Sequence, residues 1–600
     1  MARAATSPLL VGAISPASTP AAEASGRNES ESRSLQDLRS IAIGPQIDRL
    51  AWPDWLIAAA VFAAAMTLYV RTLATTLLLG DSGEFQVLYS TLGLAHPTGY
   101  PVLIPLAKLI TLLVPVGDAA YRGNLVSAIF ASLALALLYL LGRSLSGRRL
   151  APLVGVTAMG LYRLFWWHAI MAEAMTPGTA MIALVLLWIV LWKRGEGSPW
   201  LLFAAGLAGG LSVGIHTVTA LSAPAVLVYL GLNAIGWKKK WRAYFKALLL
   251  AGLGGLAGAA LTLASFFALN ALNAPSSFLN NIAPQIGSWG MTMQQFQSPW
   301  VRLVYLMGGR QFQDSMFSLP QDRVMQNVDH YFVALQHDLP AVVPALAALG
   351  LLLMFVYRRK GERYRWREAL LLVGSWAAML VYIVNYDIGD IYTYYILSYV
   401  PLIAAAAAGV GGLLDFLVFI ASLLSGRATK DTAKGSQSPG WPRAVGLTLQ
   451  LILVAGLLWV VVTPSASTLA DSWRVRHVTF LDEMHYADYP YPVNDPGWPH
   501  EFAKTLASEV EDNAIVFTDW GTLYPVFYVT HIEQGRTGIE AHEIYPAGSD
   551  GRLQDTAVSY ILANLGKRPL YFTQVDDALA QKYNFVQVDA QLPLYRLEKR

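Results

Sequence analysis

Long apolar stretches alternate with short polar stretches through the first three quarters of the chain. Several apolar stretches reach the roughly 20 residues that a helix needs to cross a lipid bilayer. The pattern therefore predicts a mainly α-helical, polytopic membrane protein with about eleven transmembrane helices. These predicted helices lie near residues 54–76, 122–143, 149–167, 177–192, 199–215, 217–236, 246–271, 338–357, 368–386, 391–424 and 444–464.

The composition of the chain agrees with this class. Hydrophobic residues make up 55% of the 600 positions and charged residues only 14%, whereas soluble domains carry roughly 25% charged residues. The net charge of +3 gives no basic surplus, so we expect no nucleic-acid partner. The chain has no cysteine, which excludes disulfides, thiolate metal sites and cysteine nucleophiles.

Basic residues are concentrated in alternate loops. Because loops rich in Lys and Arg stay in the cytoplasm, the alternation predicts a cytoplasmic N-terminus and, with an odd number of spans, an extracytoplasmic C-terminal region. The membrane is the plasma membrane if the protein is bacterial. The basic loops are 143–149, 193–194, 237–242, 357–367 and 427–443, and the opposite loops carry Asp81, Glu84, Glu173, Asp387 and Asp390.

Changes in composition divide the chain into three parts. Residues 1–50, rich in Ala, Ser and Pro, are predicted to be a disordered cytoplasmic tail. Residues 51–464 form the predicted transmembrane domain, with a large outer loop at about 272–337. Residues 465–600 are predicted to be a small extracytoplasmic α/β domain.

The C-terminal part shows a helical pattern at 498–510 and strand patterns at 514–520, 568–574 and 585–599. Asp519 and Trp520 follow the first strand and are candidates for acceptor recognition. By contrast, "GLGGLAG" at 252–258 lies inside an apolar run, which indicates close helix packing rather than a nucleotide loop.

Two carboxylates lie at the start of "GDSGEFQVLYSTLGLAHPTGYP". Asp81 and Glu84 are three residues apart, so on a helix they share one face. One interpretation is a helix cap, with Asp81 as the capping residue and Glu84 as its partner. The other is a catalytic pair, because ionisable groups at a membrane boundary are commonly functional and burial can raise the pKa of a carboxylate toward that of a useful base.

His96 and Tyr100 lie in the second half of this motif. Pro97, Gly99 and Pro101 interrupt any regular helix, and irregular backbone at membrane depth is tolerated only inside protein or along a cavity. His96 and Tyr100 are therefore substrate-binding candidates. The alternative for His96 is a hydrogen bond to a loop carbonyl.

Further candidates lie on other outer loops. Glu173, five residues after His168, could bind substrate or metal, or be an ordinary loop residue. His216, between two apolar runs, could bind a phosphate or hydroxyl, or cap a helix. Arg163 and Arg122 are candidates for binding a lipid phosphate, with snorkelling at the interface as the alternative for Arg163.

The stretch "GDSGEFQVLYSTLGLAHPTGYPVLIPLAKLI", followed by "RGNLVSAIFASL" at 122–133, resembles the DUF2723 family, which includes a transmembrane protein O-mannosyltransferase. The family resembles the GT-C glycosyltransferases more broadly. The match is dense over about 68–143 and continues more weakly through "WWHAIMAEAMTP" and "GLSVGIHTVTALSAP". The resemblance implies that Asp81 is the catalytic carboxylate, with Glu84 beside it, and that His96, Glu173 and His216 occupy motif positions.

The resemblance also implies a GT-C fold and a reaction. A polyprenyl-phosphate sugar, mannose by resemblance, would pass with inversion to a hydroxyl acceptor such as protein Ser or Thr, and Asp81 would act as base. The departing phosphate would need positive charge, either from Lys or Arg or from a divalent cation at Glu84 or Glu173. Two alternatives remain at this point, a lipid or glycan acceptor for the same donor, and a lipid or solute transporter.

Overall fold

The computed structural model describes residues 47–196, 198–234, 241–358, 365–424, 440–474, 497–543, 553–590 and 592–600. The predicted tail at 1–50 lies almost entirely outside these residues. The same holds for most of the basic stretches at 237–242, 357–367 and 427–443.

The described residues form a mainly helical body. Its α-helices are α1 (Trp52–Arg71), α2 (Gly80–Thr91), α3 (Leu103–Leu113), α4 (Ala119–Ser146), α5 (Ala151–Leu161), α6 (Arg163–Ile170), α7 (Met175–Lys193), α8 (Trp200–Ser212), α9 (Ala223–Ala234), α10 (Trp241–Leu272), α11 (Phe278–Asn281), α12 (Met293–Phe296), α13 (Pro299–Met307), α14 (Gln321–Asp338), α15 (Val342–Val356), α16 (Trp366–Val384), α17 (Tyr395–Leu424), α18 (Gly440–Val462), α19 (Ala466–Arg474), α20 (Gly497–Glu509), α21 (Trp520–Phe527), α22 (Asp555–Asn564) and α23 (Asp577–Ala580).

A five-stranded sheet follows the helical body. Its strands are β1 (Ile515–Thr518), β2 (Glu540–Glu543), β3 (Leu570–Phe572), β4 (Tyr583–Gln587) and β5 (Tyr595–Lys599), in the order β2-β1-β3-β5-β4. The first three strands are parallel, and β5 is antiparallel to both of its neighbours. The predicted helix at 498–510 and the three strand patterns are confirmed, whereas β2 was not predicted. The domain boundary at 464 stays a prediction.

The predicted count of eleven spans is not confirmed. Among the described residues, seven helices are long and apolar enough to cross a membrane, or eight if α14 and α15, which meet at 108°, form one bent span. Several predicted spans are shorter helices. The run at 149–167, for example, is divided into α5 and α6 at Tyr162, whose backbone is extended.

Loops contact α4 near both of its ends. At its C-terminal end the basic loops 143–149 and 193–194 meet, with Arg194 Nη1 donating a hydrogen bond to the carbonyl of Ser144 at 3.1 Å. Near its N-terminal end, the amide of Glu173 donates to Ser127 Oγ at 2.9 Å. A helix of 28 residues is roughly 42 Å long, so these two basic loops and the acidic loop that contains Glu173 lie toward opposite ends of α4. Which end faces the cytoplasm stays a prediction.

Helices α8 and α10 cross at glycines. A Cβ atom added at Gly210 would lie closer than 3.0 Å to backbone atoms of Gly255, Gly258 and Ala259. Gly206 and Gly254 face the partner backbone in the same way. The stretch 252–258 thus serves close helix packing, as predicted.

This crossing predicts opposite effects at adjacent glycines. Gly210→Ala should destabilise the protein by about 1–3 kcal/mol, because the methyl group overpacks the crossing. Gly209→Ala is the matched control. A Cβ there meets nothing within 4 Å, so the gain in helix propensity of up to about 1 kcal/mol should leave stability equal or higher. Thermal unfolding of the detergent-purified variants measures both, and equal unfolding temperatures would contradict the close crossing.

Candidate active site

Asp81 and Glu84 lie in the first two turns of α2. The helix begins at Gly80, which has a positive φ of 54°, and its N-cap is Leu79, with no side-chain cap. The interpretation of Asp81 as the helix cap is therefore wrong. Gln86 holds the preceding turn, because its Oε1 accepts a hydrogen bond from the amide of Leu78 at 2.9 Å.

The two carboxylates have different surroundings. The Asp81 side chain is 40% exposed, and its Oδ1 accepts a hydrogen bond from Trp520 Nε1 at 2.8 Å. Glu84 is fully buried. Its Oε1 accepts from the His96 amide at 2.9 Å and the Tyr524 hydroxyl at 2.8 Å, and its Oε2 lies 2.5 Å from His96 Nδ1. Only Asp81 is accessible to a substrate, so the predicted catalytic pair becomes one accessible carboxylate and one buried partner.

His96 joins these carboxylates. Its Nδ1 faces Glu84, and its Nε2 lies 3.6 Å from Asp81 Oδ2. Burial alone would lower the pKa of His96, but the charges of Asp81 and Glu84 raise it to about 10. Burial also raises the pKa of Glu84, while the His96 charge and the hydrogen bonds from His96 and Tyr524 favour the carboxylate. With three donors directed at Glu84, we place the proton on His96, which is then a cation.

The loop that contains Glu173 reaches the same place. Ser82 Oγ donates a hydrogen bond to Glu173 Oε1 at 3.0 Å, which ties this loop to α2. His168 is buried, and its Nδ1 lies 3.6 Å from Glu173 Oε2. Neither ring nitrogen of His168 has a hydrogen-bond partner among the described residues.

These side chains surround a cavity of about 880 Å³. Two carboxylates from further along the chain, Asp390 and Glu543, also line it. No Lys or Arg lines it within the part of the chain that the structure describes. Aromatic rings complete the wall. The charged, histidine and aromatic lining residues are Asp81, His96, Trp167, His168, Glu173, Phe278, Phe312, Tyr386, Asp390, Tyr392, Tyr394, Trp520 and Glu543.

Tyr100 and His216 lie beside this cavity rather than in its wall. The Tyr100 hydroxyl is 3.3 Å from His96 Nε2, and the Tyr100 ring centroid is 5.7 Å from that of His216. Nδ1 of His216 accepts a hydrogen bond from the Val218 amide at 3.3 Å, which caps a 3₁₀ helix. Burial and the His96 charge lower the pKa of His216 to about 3, so its ring is neutral. The capping alternative for His216 therefore describes its observed contact.

Neither predicted phosphate-binding arginine lines the Asp81 cavity. Arg163 begins α6 and lines a separate cavity of about 300 Å³ that also contains Asp338. Arg122 Nη1 donates to the carbonyl of Gly117 at 2.8 Å. Arg163 lies away from the Asp81 cavity because the extended backbone at Tyr162 divides the predicted span, and a new helix begins at Arg163.

The two predicted metal ligands bond to different partners, Glu84 to His96 and Tyr524, and Glu173 to Ser82. No group of three or more His, Asp or Glu side chains with metal-binding geometry is found within the described ranges.

The C-terminal part contributes residues that the sequence analysis did not single out. Tyr524 follows Trp520 by four residues, so both lie on one face of α21. That aromatic spacing is the signal that could have identified Tyr524. Glu543 ends β2, for which no strand was predicted. Asp519 caps α21, with its Oδ1 accepting from the Thr522 amide at 3.1 Å.

Residues 81–240 match the family model described as "Protein O-mannosyl-transferase TMEM260 N-terminal domain". The family resemblance is confirmed over this segment. The chain is also 35% identical over 139 residues to Protein O-mannosyl-transferase TMEM260 of Mus musculus. This alignment covers 23% of the chain and 20% of the mouse protein. The chain thus matches about a fifth of the length of that TMEM260 relative.

Two solved structures are similar over most of the chain. ArnT from Cupriavidus metallidurans bound to undecaprenyl phosphate gives a TM-score of 0.49 at 13% identity, covering 91% of this chain and 98% of ArnT. The oligosaccharyltransferase AglB from Archaeoglobus fulgidus, in complex with an inhibitory peptide and a dolichol-phosphate, gives 0.44 at 13% identity, covering 87% of this chain and 70% of AglB.

The surroundings of Glu543 predict a pH-dependent stability. Burial and the nearby charges of Asp519, Glu84 and Asp81 raise the pKa of Glu543 to about 7. Because the folded protein resists ionisation of this carboxyl, stability is lost as the pH rises from about 4.5 to 7. The neutral Glu543→Gln variant should therefore unfold at a higher temperature than the unsubstituted protein at pH 8 and at a similar temperature at pH 5.

Glu540, on the same strand, is the matched control, because its pKa is shifted in the opposite direction. The nearby His542 ring and hydrogen bonds from Arg568 and Tyr560 outweigh burial and lower the pKa of Glu540 to about 2. Its ionised form stabilises the fold above its ordinary pKa, and this contribution is lost as the pH falls toward 2. Glu540→Gln should therefore lower the unfolding temperature at pH 8. A lower unfolding temperature for Glu543→Gln at pH 8 would contradict the assigned surroundings of Glu543.

Proposed function

We propose that this protein is a membrane glycosyltransferase that moves a sugar from a polyprenyl-phosphate donor to a hydroxyl acceptor. The single observation that carries the proposal is the accessible carboxylate of Asp81. It lies in a large cavity, one oxygen is held by Trp520, and the other lies beside the His96 cation. An ionised carboxylate with one oxygen free is suited to accept a proton from a hydroxyl group.

The proposed step is a direct displacement with inversion. The acceptor oxygen attacks the anomeric carbon of the sugar and forms the new glycosidic bond. The bond between the anomeric carbon and the phosphate oxygen breaks, and the phosphate leaves with the electron pair. The hydroxyl proton passes to Asp81 Oδ2. Atoms and charges balance without an added oxidant or reductant.

His96 has the position and charge to assist the phosphate. It is the cationic side chain among the described residues of the wall, and positive charge stabilises a leaving phosphate. The carboxylates and aromatic rings of the same wall suit a sugar. Carboxylates accept hydrogen bonds from sugar hydroxyls, and aromatic rings present flat apolar surfaces to the sugar ring.

The family similarity of residues 81–240 supports a choice of donor sugar and acceptor. We propose mannose as the sugar and a protein Ser or Thr as the acceptor. The cavity and the C-terminal segment would lie on the extracytoplasmic side, because the basic loops lie at the opposite end of α4. A transporter would instead place its charged groups near mid-membrane, whereas the cavity carboxylates belong to loops and helix ends.

The proposal predicts a large loss of activity in one conservative variant. Asp81→Asn keeps the shape of the side chain but removes the base, so turnover should fall at least about 100-fold. The measurement is the transfer of labelled mannose from synthetic polyprenyl-phosphate mannose to a Ser/Thr peptide by the purified full chain. Asp387→Asn is the matched control, because Asp387 is an exposed carboxylate next to the cavity loop but not in its wall.

Equal turnover in Asp81→Asn and the unsubstituted protein would remove Asp81 from the role of base. Transfer to a lipid or glycan but not to the peptide would keep the donor chemistry and change the acceptor. Absence of transfer with several sugars and acceptors would contradict the proposed enzyme and favour the transporter.

A further inference from the structure

Three aromatic residues, spaced four positions apart on α21 and just after it, contact the helical body. Trp520 donates to Asp81 Oδ1 at 2.8 Å, and Tyr524 donates to Glu84 Oε1 at 2.8 Å. Tyr528, just after the helix, accepts from the Ala120 amide at 3.2 Å. The bonds from Trp520 and Tyr524 thus end on the carboxylates of the candidate active site.

Two glycines at the start of α2 face α21. A Cβ atom at Gly80 would lie 3.7 Å from Trp520 Nε1, and one at Gly83 would lie 3.5 Å from Pro525 Cδ and still closer to the carbonyl of Leu78. The motif "GDSGE" therefore supplies both the carboxylates and the glycines that lie beside the helix whose aromatic side chains bind them.

The surroundings of the two donors make their orientation specific. The Trp520 ring lies edge-on to the His96 ring at 5.9 Å and to the Phe278 ring at 5.7 Å. The Tyr524 hydroxyl accepts a hydrogen bond from Asn281 Nδ2 at 3.2 Å, so its own proton is left for Glu84. Packing and hydrogen bonds thus hold both donors toward the carboxylates.

We propose that α21 is a functional part of the active site, in which Trp520 and Tyr524 are positioning residues for Asp81 and Glu84. The inference rests on the proposed transferase activity. By occupying Oδ1, the indole directs Asp81 so that Oδ2 is the oxygen that accepts the proton. By binding Glu84, the tyrosine fixes the carboxylate that orients and charges His96. The C-terminal segment thereby completes a site whose other residues come from the helical body.

Three single variants of the full chain separate positioning from simple docking. Trp520→Phe keeps an aromatic ring but removes the N–H donor, and Tyr524→Phe removes only the hydroxyl. Tyr528→Phe is the matched control, because it removes a hydroxyl contact between the same two segments that does not involve a carboxylate. Each variant is purified in detergent, and size exclusion measures its folded fraction. The rate of mannose transfer from polyprenyl-phosphate mannose is measured across pH 5–9 and divided by the amount of folded protein.

Trp520→Phe should lower kcat on the order of 10- to 100-fold, because hydrogen bonds to charged groups contribute about 1.5–3 kcal/mol, with little change in KM for the donor. Its pH–rate profile should also differ from that of the unsubstituted protein, because the carboxylate that accepts the proton has lost a hydrogen-bond donor. Tyr524→Phe should lower kcat by a smaller factor, and Tyr528→Phe should change neither kcat nor the pH profile.

An unchanged kcat and pH profile in Trp520→Phe would overturn the inference, as would equal losses in all three variants. If Trp520→Phe does not fold, Tyr524→Phe decides the matter by the same two measurements. Failure of the proposed function has a different signature, because the unsubstituted protein would then show no transfer at all.

Discussion

The burial of Glu84 is the constraint on which the candidate site depends. A buried carboxylate is stable only when hydrogen bonds and a nearby positive charge replace water. Here the His96 amide, the His96 ring and the Tyr524 hydroxyl satisfy this requirement. One of these three donors comes from a residue 440 positions away in the sequence. The motif at the start of α2 therefore takes one of the three donors to its buried carboxylate from the C-terminal segment.

The same constraint explains why the two carboxylates make different contacts. Glu84 Oε2 faces Nδ1 of His96 and balances the positive charge of the ring. Nε2, on the other side of the ring, therefore faces Asp81 and the cavity. Asp81 keeps one accessible oxygen because the indole of Trp520 holds the other. In a wall that lacks Lys and Arg among its described residues, His96 is the cation that the proposed leaving phosphate would meet.

The sequence predicted the features that depend on local pattern. Apolar runs and basic loops indicated the helical membrane class, and the "GDSGE" motif with His96 and Glu173 indicated where the site lies. Features that depend on distant contacts were not predictable. The pairing of Tyr524 with Glu84 joins distant segments, the break at Tyr162 interrupts an apolar run that reads as one span, and Arg163 therefore faces another cavity. Glu543 was missed because three of the four residues of β2, Glu540, His542 and Glu543, are polar or charged, so the segment shows no apolar strand pattern.

The central claim is that sugar transfer takes place in the Asp81 cavity. The most direct measurement is a cryo-EM structure of the full chain in lipid nanodiscs with an unreactive polyprenyl-phosphonate mannose analogue. We expect the sugar in this cavity, with space between Asp81 Oδ2 and the anomeric carbon for one hydroxyl oxygen about 3 Å from each, and with the Trp520–Asp81 hydrogen bond intact. A sugar bound in the cavity lined by Arg163, or an Asp81 that the ligand does not approach, would contradict the account.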